Sequence, residues 1–171
     1  MQERTILLGS SIIEQWPSDK YLANSLNLGI PGLTSGELME SYSRIPPLQN
    51  KIILYIGSND ITKNPSLSTN EIYQNITEFI LKIMKNKNQH IIFVAILKSP
   101  KRTPVQIEKI NTINRKMREF SQKHPNIYFC NLNRELSSPK NYLPDKTHLS
   151  EKGYSILSHH LLSPEIRDKY V

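Results

Sequence analysis

Short apolar segments recur along the chain, and each is followed by a longer stretch whose apolar residues are spaced as on one face of a helix. The short segments are continuously apolar rather than alternating, which is typical of strands buried on both faces of a parallel sheet. The predicted strands are Thr5–Leu8, Ser25–Leu28, Lys51–Ile56, His90–Ile96 and Ile127–Asn131. The pattern therefore favours an open sheet of parallel strands.

The amphipathic stretches between the strands predict helices. The clearest is the one near residue 70, where Ser68 and Glu71 have the spacing of a capping box. The predicted helices are Ser35–Arg44, Ser68–Asn86, a segment from about Pro104 to about His124, and Glu151–Leu162. Strands that alternate with helices in this way predict an open three-layer α/β fold with right-handed crossovers.

Length and composition fit one domain. The chain has 171 residues, of which 37% are apolar, so it can build one core, and we predict a single domain over residues 1–171. The longest apolar runs, such as Ile91–Leu97, are far shorter than the roughly 18 residues of a membrane-spanning helix. The first residues lack the features of a secretory signal, so the default expectation is a cytoplasmic location unless a leader was removed. The sequence does not indicate an oligomeric state.

The net charge of +7 could reflect nucleic acid, anionic lipid or an acidic substrate. Many basic residues fall in predicted helices, where a solvated outer face is the simpler interpretation, and no nucleic-acid motif accompanies them. We therefore do not predict nucleic-acid binding. The histidines outside the motifs described next lack partners at metal-ligand spacing, so we expect no metal and no cofactor. Cys130 is the single cysteine, which excludes an internal disulfide.

Four segments near the carboxyl ends of predicted strands carry groups that acyl transfer can use, and parallel strands bring such segments to one edge of the sheet. A serine hydroxyl needs a nearby base, usually a histidine that a carboxylate orients. We predict Ser11 as the nucleophile, His148 as the base and Asp145 as the orienting carboxylate. The backbone N–H groups of Ser11 and Gly32 and the side-chain amide of Asn59 are predicted to form the oxyanion hole.

From Ile6 to about Leu161 the chain resembles the SGNH hydrolases, also called the GDSL family. The four matching blocks are Leu8–Ser11, Asn27–Gly32, the Gly-x-Asn-Asp of Gly57–Asp60 and the Asp-x-x-His of Asp145–His148. Ser10 stands where the motif that names the family has aspartate. The resemblance implies a flavodoxin-like α/β/α sandwich, metal-independent ester hydrolysis and a shallow, adaptable active site.

Several functions are compatible with these residues. Each motif alone could be a turn or a helix cap, and only their joint order favours an active site. Little sequence separates the strands, so we predict a small acyl group, such as acetyl on a sugar or polysaccharide. An O-acyltransferase, a lysophospholipase or thioesterase, and a non-catalytic binding module on the same fold stay open as alternatives.

Four more residues are candidates for substrate binding. Trp16 follows Ser11 by five residues and could form a wall of the acyl pocket, although a core position is the simpler interpretation. Lys98, Lys101 and Arg102 follow the fourth predicted strand, at the same sheet edge as Ser11. They could attract an anionic substrate, or they could only keep the loop solvated.

Overall fold

The computed structural model describes residues 4–41, 51–84 and 89–171. The strands are β1 (Thr5–Gly9), β2 (Ser25–Gly29), β3 (Lys51–Tyr55), β4 (His90–Val94) and β5 (Ile127–Cys130). The α-helices are α1 (Ser11–Glu14), α2 (Ser35–Glu40), α3 (Ser58–Lys63), α4 (Thr69–Ile83), α5 (Pro104–Gln122), α6 (Glu151–Leu161) and α7 (Pro164–Tyr170). Short 3-10 helices cover Ser18–Lys20 and Pro139–Asn141. All five predicted strands are confirmed, with ends that differ by at most two residues.

Within the described residues the strands form one parallel sheet in the order β2-β1-β3-β4-β5. In the centre, Leu7 of β1 lies opposite Asn27 of β2 and Ile53 of β3. The strand order is that of flavodoxin-like folds, and the chain reverses its direction across the sheet between β1 and β3. The predicted three-layer fold with a five-stranded parallel sheet is therefore confirmed. Ligands of such sheets bind at the carboxyl ends of the two strands where the order reverses.

Apolar side chains form two cores, one on each face of the sheet. Along β1, Ile6 and Leu8 belong to one core and Leu7 to the other, because successive residues of a strand point to opposite faces. Side chains of α2, α4 and α5 cover the face of Ile6, and side chains of α1, α6 and α7 cover the face of Leu7. Burial on both faces explains why the strand segments are continuously apolar.

The predicted capping box at the start of α4 is present. The hydroxyl of Ser68 accepts from the N–H of Glu71 at 3.2 Å, and the carboxylate of Glu71 accepts from the N–H of Ser68 at 2.9 Å. These bonds satisfy N–H groups that no helical carbonyl can reach. In the described residues α4 ends at Ile83. The helix ends predicted at Arg44 and Asn86 lie outside those residues.

The apolar pattern does not predict α1, α3 or α7. The first two have four and six residues, so neither completes two turns and neither develops a helical period. Both begin just after a central strand, α1 after β1 and α3 after β3, and so they place Ser11 and Asn59 at the carboxyl edge of the sheet. In the part of the chain described here, no helix combines the length and apolar character needed to cross a bilayer.

Candidate active site

The turn between β1 and α1 places Ser11 at the carboxyl edge. Gly9 has φ +139°, and a Cβ at this position would lie 1.9 Å from the carbonyl oxygen of Tyr55. Only glycine therefore allows this close approach to β3. The N–H of Ser10 donates to the same oxygen at 3.1 Å, and the Ser10 side chain is buried. The next residue, Ser11, begins α1 with a half-buried side chain.

Because α1 is so short, neighbouring side chains hold it in place. Asn27 of β2 donates from Nδ2 to the carbonyl oxygen of Ile13 at 2.6 Å. The hydroxyl of Tyr154 on α6 donates to the carbonyl oxygen of Ile12 at 2.9 Å. These bonds satisfy carbonyls at the end of the helix, which have no partner within it. They also fix the orientation of Ser11.

The structure brings Ser11, His148 and Asp145 into one chain of hydrogen bonds. His148 Nε2 lies 3.0 Å from Ser11 Oγ, and His148 Nδ1 lies 2.5 Å from Asp145 Oδ2. The second carboxylate oxygen of Asp145 accepts from the N–H of Thr147 at 2.9 Å and from that of His148 at 3.0 Å. With Nδ1–H directed at the carboxylate, Nε2 is left to accept the serine proton. Nucleophilic catalysis by serine requires this geometry.

The environment of Asp145 favours its charged form. The hydrogen bond from His148 is the largest cause that lowers the pKa of Asp145, from 3.8 to about 2, and the N–H of Thr147 acts in the same direction. Desolvation opposes this shift, but the side chain of Asp145 is 43% exposed. The group is therefore ionised near neutral pH and can hold the His148 ring.

The segment that carries Asp145 and His148 is fixed by its own backbone. Leu143 N–H donates to the His148 carbonyl oxygen at 2.8 Å, and Lys146 N–H donates to the Leu143 carbonyl oxygen at 2.8 Å. Lys146 itself has φ +60° and accepts at its carbonyl oxygen from the N–H of Lys101 at 3.2 Å. This last bond ties the segment to the loop between β4 and α5.

The predicted oxyanion residues lie around the same space. Ser11, Gly32, Asn59 and His148 all line one cavity of about 320 Å³. Gly32 has φ +75°, a conformation that glycine adopts without strain. Asn59 donates from Nδ2 to the carbonyl oxygen of Leu33 at 3.0 Å. An amide nitrogen carries two hydrogens, so this bond orients Asn59 and leaves its second hydrogen available to a ligand.

Helix α3 holds the loop that contains Gly32. The carboxylate of buried Asp60 accepts from the N–H of Ser35 at 3.0 and 3.1 Å and from its hydroxyl at 2.5 Å. Lys63 donates from Nζ to the carbonyl oxygen of Gly32 at 2.6 Å. Neither of these two roles is predicted from the sequence. Asp60 belongs to the Gly-x-Asn-Asp motif, and Lys63 follows Asn59 by one helical turn, so the signal for both was their position beside Asn59.

The inner wall of the cavity mixes apolar and polar groups. Tyr55 and Leu97 are buried there, next to Ser58 and Ser99. Arg102 donates from Nη2 to the hydroxyl of Ser58, which fixes the guanidinium at the cavity wall. In the part of the chain that the structure describes, the buried hydroxyl of Ser99 has no hydrogen-bond partner. The cavity wall therefore combines apolar side chains with a buried hydroxyl.

The placement of Trp16 as a wall of the acyl pocket is wrong. Its side chain is 3% exposed, belongs to the core beneath α1 and α6, and donates from Nε1 to the hydroxyl of Ser158 at 2.9 Å. The reason is the length of α1, which ends at Glu14, so that the chain turns before Trp16 and directs the indole into the core.

The structure separates the three cations of the loop between β4 and α5. Arg102 lines the cavity of Ser11 and also a second cavity of about 330 Å³, which Lys101 lines as well. Lys98 is exposed and lines neither of these two cavities, while its backbone N–H donates to Asn133 Oδ1 at 2.6 Å. Of these three cations, only Lys101 and Arg102 therefore line either of the two cavities. Among the described residues, no cluster of three or more His, Cys, Asp or Glu side chains could hold a metal ion.

Solved structures share this fold over most of their length. A Streptococcus pneumoniae protein provisionally named as a platelet activating factor is 27% identical, with TM-score 0.81, over 94% of this chain and 83% of its own. A GDSL-like lipase from Bacteroides thetaiotaomicron is 19% identical, with TM-score 0.80 and coverages of 97% and 88%. An acetyl-xylooligosaccharide esterase from Geobacillus, solved as a point mutant, is 15% identical, with TM-score 0.75 and coverages of 94% and 92%.

Sequence comparison agrees with the structural comparison. No curated protein sequence matches the chain at a significant level. The family model of the GDSL-like lipase/acylhydrolase family matches residues 7–156, which span every motif described above. The chain belongs to the GDSL-like lipase/acylhydrolase family and is a carboxylic ester hydrolase.

Proposed function

We propose that this protein is a serine esterase that removes small acyl groups, acetyl above all, from a carbohydrate through an acyl-serine intermediate. The observation that carries the proposal is the unbroken chain of hydrogen bonds from Ser11 through His148 to Asp145, with distances of 3.0 and 2.5 Å. Ser11, at one end of this series of hydrogen bonds, lines a cavity that the proposed oxyanion donors also line.

In the first half of the reaction, Ser11 Oγ attacks the ester carbonyl carbon while its proton passes to His148 Nε2. Asp145 stabilises the histidinium that forms. The carbonyl oxygen gains negative charge and accepts hydrogen bonds from the N–H groups of Ser11 and Gly32 and from the amide of Asn59. The bond between the carbonyl carbon and the alcohol oxygen then breaks, and His148 returns its proton to that oxygen.

In the second half, water replaces the alcohol. His148 takes a proton from the water as the water oxygen attacks the acyl carbon, and the same oxyanion donors stabilise the new charge. The bond to Ser11 Oγ breaks, His148 returns the proton to Ser11, and the carboxylic acid leaves. The free enzyme is restored with every proton accounted for.

The size and lining of the cavity support a short acyl group. A volume of about 320 Å³ must hold the reacting centre and part of the alcohol as well as the acyl chain. The side chains of Tyr55 and Leu97 limit its depth, and the hydroxyl of Ser99 makes its wall unsuited to a long hydrocarbon. A structural relative acts on acetyl-xylooligosaccharides, although at 15% identity that likeness is one of fold.

A series of 4-nitrophenyl esters from acetyl to decanoyl tests the proposal, because it reports activity and pocket depth together. We expect kcat/KM to be highest for acetyl and to fall by about tenfold or more by octanoyl. Ser11→Ala is the control for hydrolysis that does not involve the site. A maximum at octanoyl or decanoyl would contradict the small-acyl assignment, and no turnover of any ester would contradict esterase activity itself.

A further inference from the structure

A second cavity opens beside the first one, and the two share Asn59, Arg102 and Thr147. The second has a volume of about 330 Å³. Its remaining lining residues are Thr62, Lys101, Thr103 and Gln106. Every lining side chain is polar, two are cations and none is a carboxylate.

We infer that this second cavity binds the alcohol portion of the ester, and that this portion is a sugar that carries an anionic group, a carboxylate or a phosphate. The inference rests on the proposed esterase function and deepens it by naming the leaving group.

The second cavity lies beside His148, and this position indicates that it binds the alcohol portion of the ester. In the proposed mechanism His148 Nε2 gives its proton to the leaving alcohol oxygen, so the alcohol must lie on the histidine side of the scissile bond. Thr147, the residue before His148, lines both cavities. The same mechanism assigns the acyl group to the first cavity, which Tyr55 and Leu97 line. The substrate therefore extends past Thr147 into the second cavity.

Two of the lining residues, Thr103 and Gln106, form the capping box of α5. The N–H of Thr103 donates to Gln106 Oε1 at 3.1 Å, and the N–H of Gln106 donates to Thr103 Oγ1 at 3.3 Å. Both bonds use the oxygen atoms of the side chains. The amide NH₂ of Gln106 and the hydroxyl hydrogen of Thr103 make no bond within the described ranges, so both can donate to the oxygen atoms of a ligand.

The two cations add positive charge to the cavity, and among the described residues no carboxylate lies within 4.0 Å of either one. Lys101 is exposed, and the described residues include no partner for its ammonium group. Arg102 is anchored by its Nη2 on Ser58, while its Nε is buried without a partner among those residues. The two acidic side chains that neighbour Asn59 and Thr147 in sequence are already engaged, Asp60 with Ser35 and Asp145 with His148. An anion held here can accept charge-assisted hydrogen bonds, which are stronger than neutral ones.

Three matched esters test the inference: acetylated glucose, acetylated glucuronic acid and acetylated glucose 6-phosphate. For the wild type we expect kcat/KM for at least one anionic sugar to exceed that for acetylated glucose by about tenfold, and the ratio to fall as salt is added. The better of the two anionic sugars tells whether the bound group is a carboxylate or a phosphate. Equal values for all three sugars would overturn the inference.

Variants then test whether the preference for anionic sugars arises in the second cavity. Lys101→Gln changes an exposed side chain and should reduce the preference for the anionic sugar over acetylated glucose to about twofold, mainly by lowering kcat/KM for the anionic sugar. Arg102→Gln should reduce the same preference, but Arg102 also lines the cavity of Ser11 and contacts Ser58, so its kcat/KM for acetylated glucose should fall as well. Thermal unfolding checks that both variants are folded. The matched control is Lys123→Gln, which removes the same charge at the far end of α5, about 28 Å away along the helix.

The outcomes distinguish the assignment of the second cavity from the proposed esterase function. If Lys123→Gln lowers the preference as much as Lys101→Gln does, general electrostatic attraction explains it and the cavity assignment fails. Hydrolysis of 4-nitrophenyl acetate without any preference among the sugars would overturn the inference but leave the proposed esterase standing. No hydrolysis of any of these esters would overturn both.

Discussion

Ser10 and Ser11 are adjacent in sequence but have different surroundings. Ser10 is buried at the N-cap position of α1, where its side chain makes no capping bond, whereas the hydroxyl of Ser11 lies 3.0 Å from His148 Nε2. We expect Ser11→Ala to lower kcat by at least about a thousandfold without loss of fold, because only the proposed nucleophilic oxygen is removed. Ser10→Ala should cost less than about tenfold. Turnover of 4-nitrophenyl acetate by both variants checks this, and the reverse ranking would place the nucleophile at Ser10.

Asn59 is predicted to act on the transition state more than on the bound ester. One amide hydrogen is donated to the Leu33 carbonyl oxygen, which fixes the orientation of the side chain. The second amide hydrogen is then free to be donated to the developing oxyanion. Asn59→Ala should therefore lower kcat by about a hundredfold with KM changed by less than about threefold. Steady-state kinetics beside a thermal unfolding curve provide the measurement. An effect on KM alone would remove Asn59 from the oxyanion hole.

The hydrogen bonds of Asp145 predict a dependence of stability on pH. Its pKa is about 2 in the folded protein against 3.8 without these bonds, so the ionised group stabilises the fold above about pH 4. This contribution is lost as the pH falls through 3.8 toward 2. The difference in Tm between the wild type and Asp145→Asn should therefore shrink between pH 4 and pH 2. Thermal unfolding over this range measures it, and a difference that stays constant would contradict the assignment.

At the scale of elements, α3 has only six residues, yet three of them bond to residues that follow β2. Asn59, Asp60 and Lys63 bond to Leu33, Ser35 and Gly32 respectively, and so they fix the loop after β2. One short helix thus holds the loop that carries Gly32 in place through residues from both of its ends.

Asp60→Asn tests this role of α3. The substitution places an NH₂ group, which cannot accept, beside the N–H of Ser35, and it replaces charge-assisted bonds by bonds to a single neutral oxygen. We expect the free energy of unfolding to fall by about 1–3 kcal/mol and kcat to fall with it. The control is Asp19→Asn, at an exposed position, which should change stability by less than about 0.5 kcal/mol. Equal denaturant midpoints for both variants would contradict the account.

The sequence predicted the strands, the long helices and the site motifs, and it failed where the chain turns within a few residues. The strands can be recognised in the sequence because both faces of the sheet are covered, which makes each strand continuously apolar. Helix α4 can be recognised because its apolar stripe repeats over fifteen residues. α1 has four residues and no period, so nothing in the pattern shows that Trp16 turns into the core. The contact between Lys63 and Gly32 joins residues 31 positions apart, and local spacing does not reveal such contacts.

At the scale of the whole molecule, the strand order explains why distant residues meet. The order reverses between β1 and β3, and the segments that follow these strands carry Ser11 and Asn59. Gly32 follows β2, and His148 arrives in the long connection from β5 to α6. Four segments far apart in sequence thus supply one cavity of about 320 Å³.

The central claim is that Ser11 is the nucleophile of this esterase. Its most direct test is mass spectrometry after reaction with a fluorophosphonate, which phosphonylates an activated serine and releases fluoride. The account predicts one adduct per chain, assigned by fragmentation to Ser11 rather than Ser10, and no adduct on the Ser11→Ala variant. A wild-type protein that hydrolyses esters but carries no adduct on Ser11, or an adduct that persists in Ser11→Ala, would contradict it.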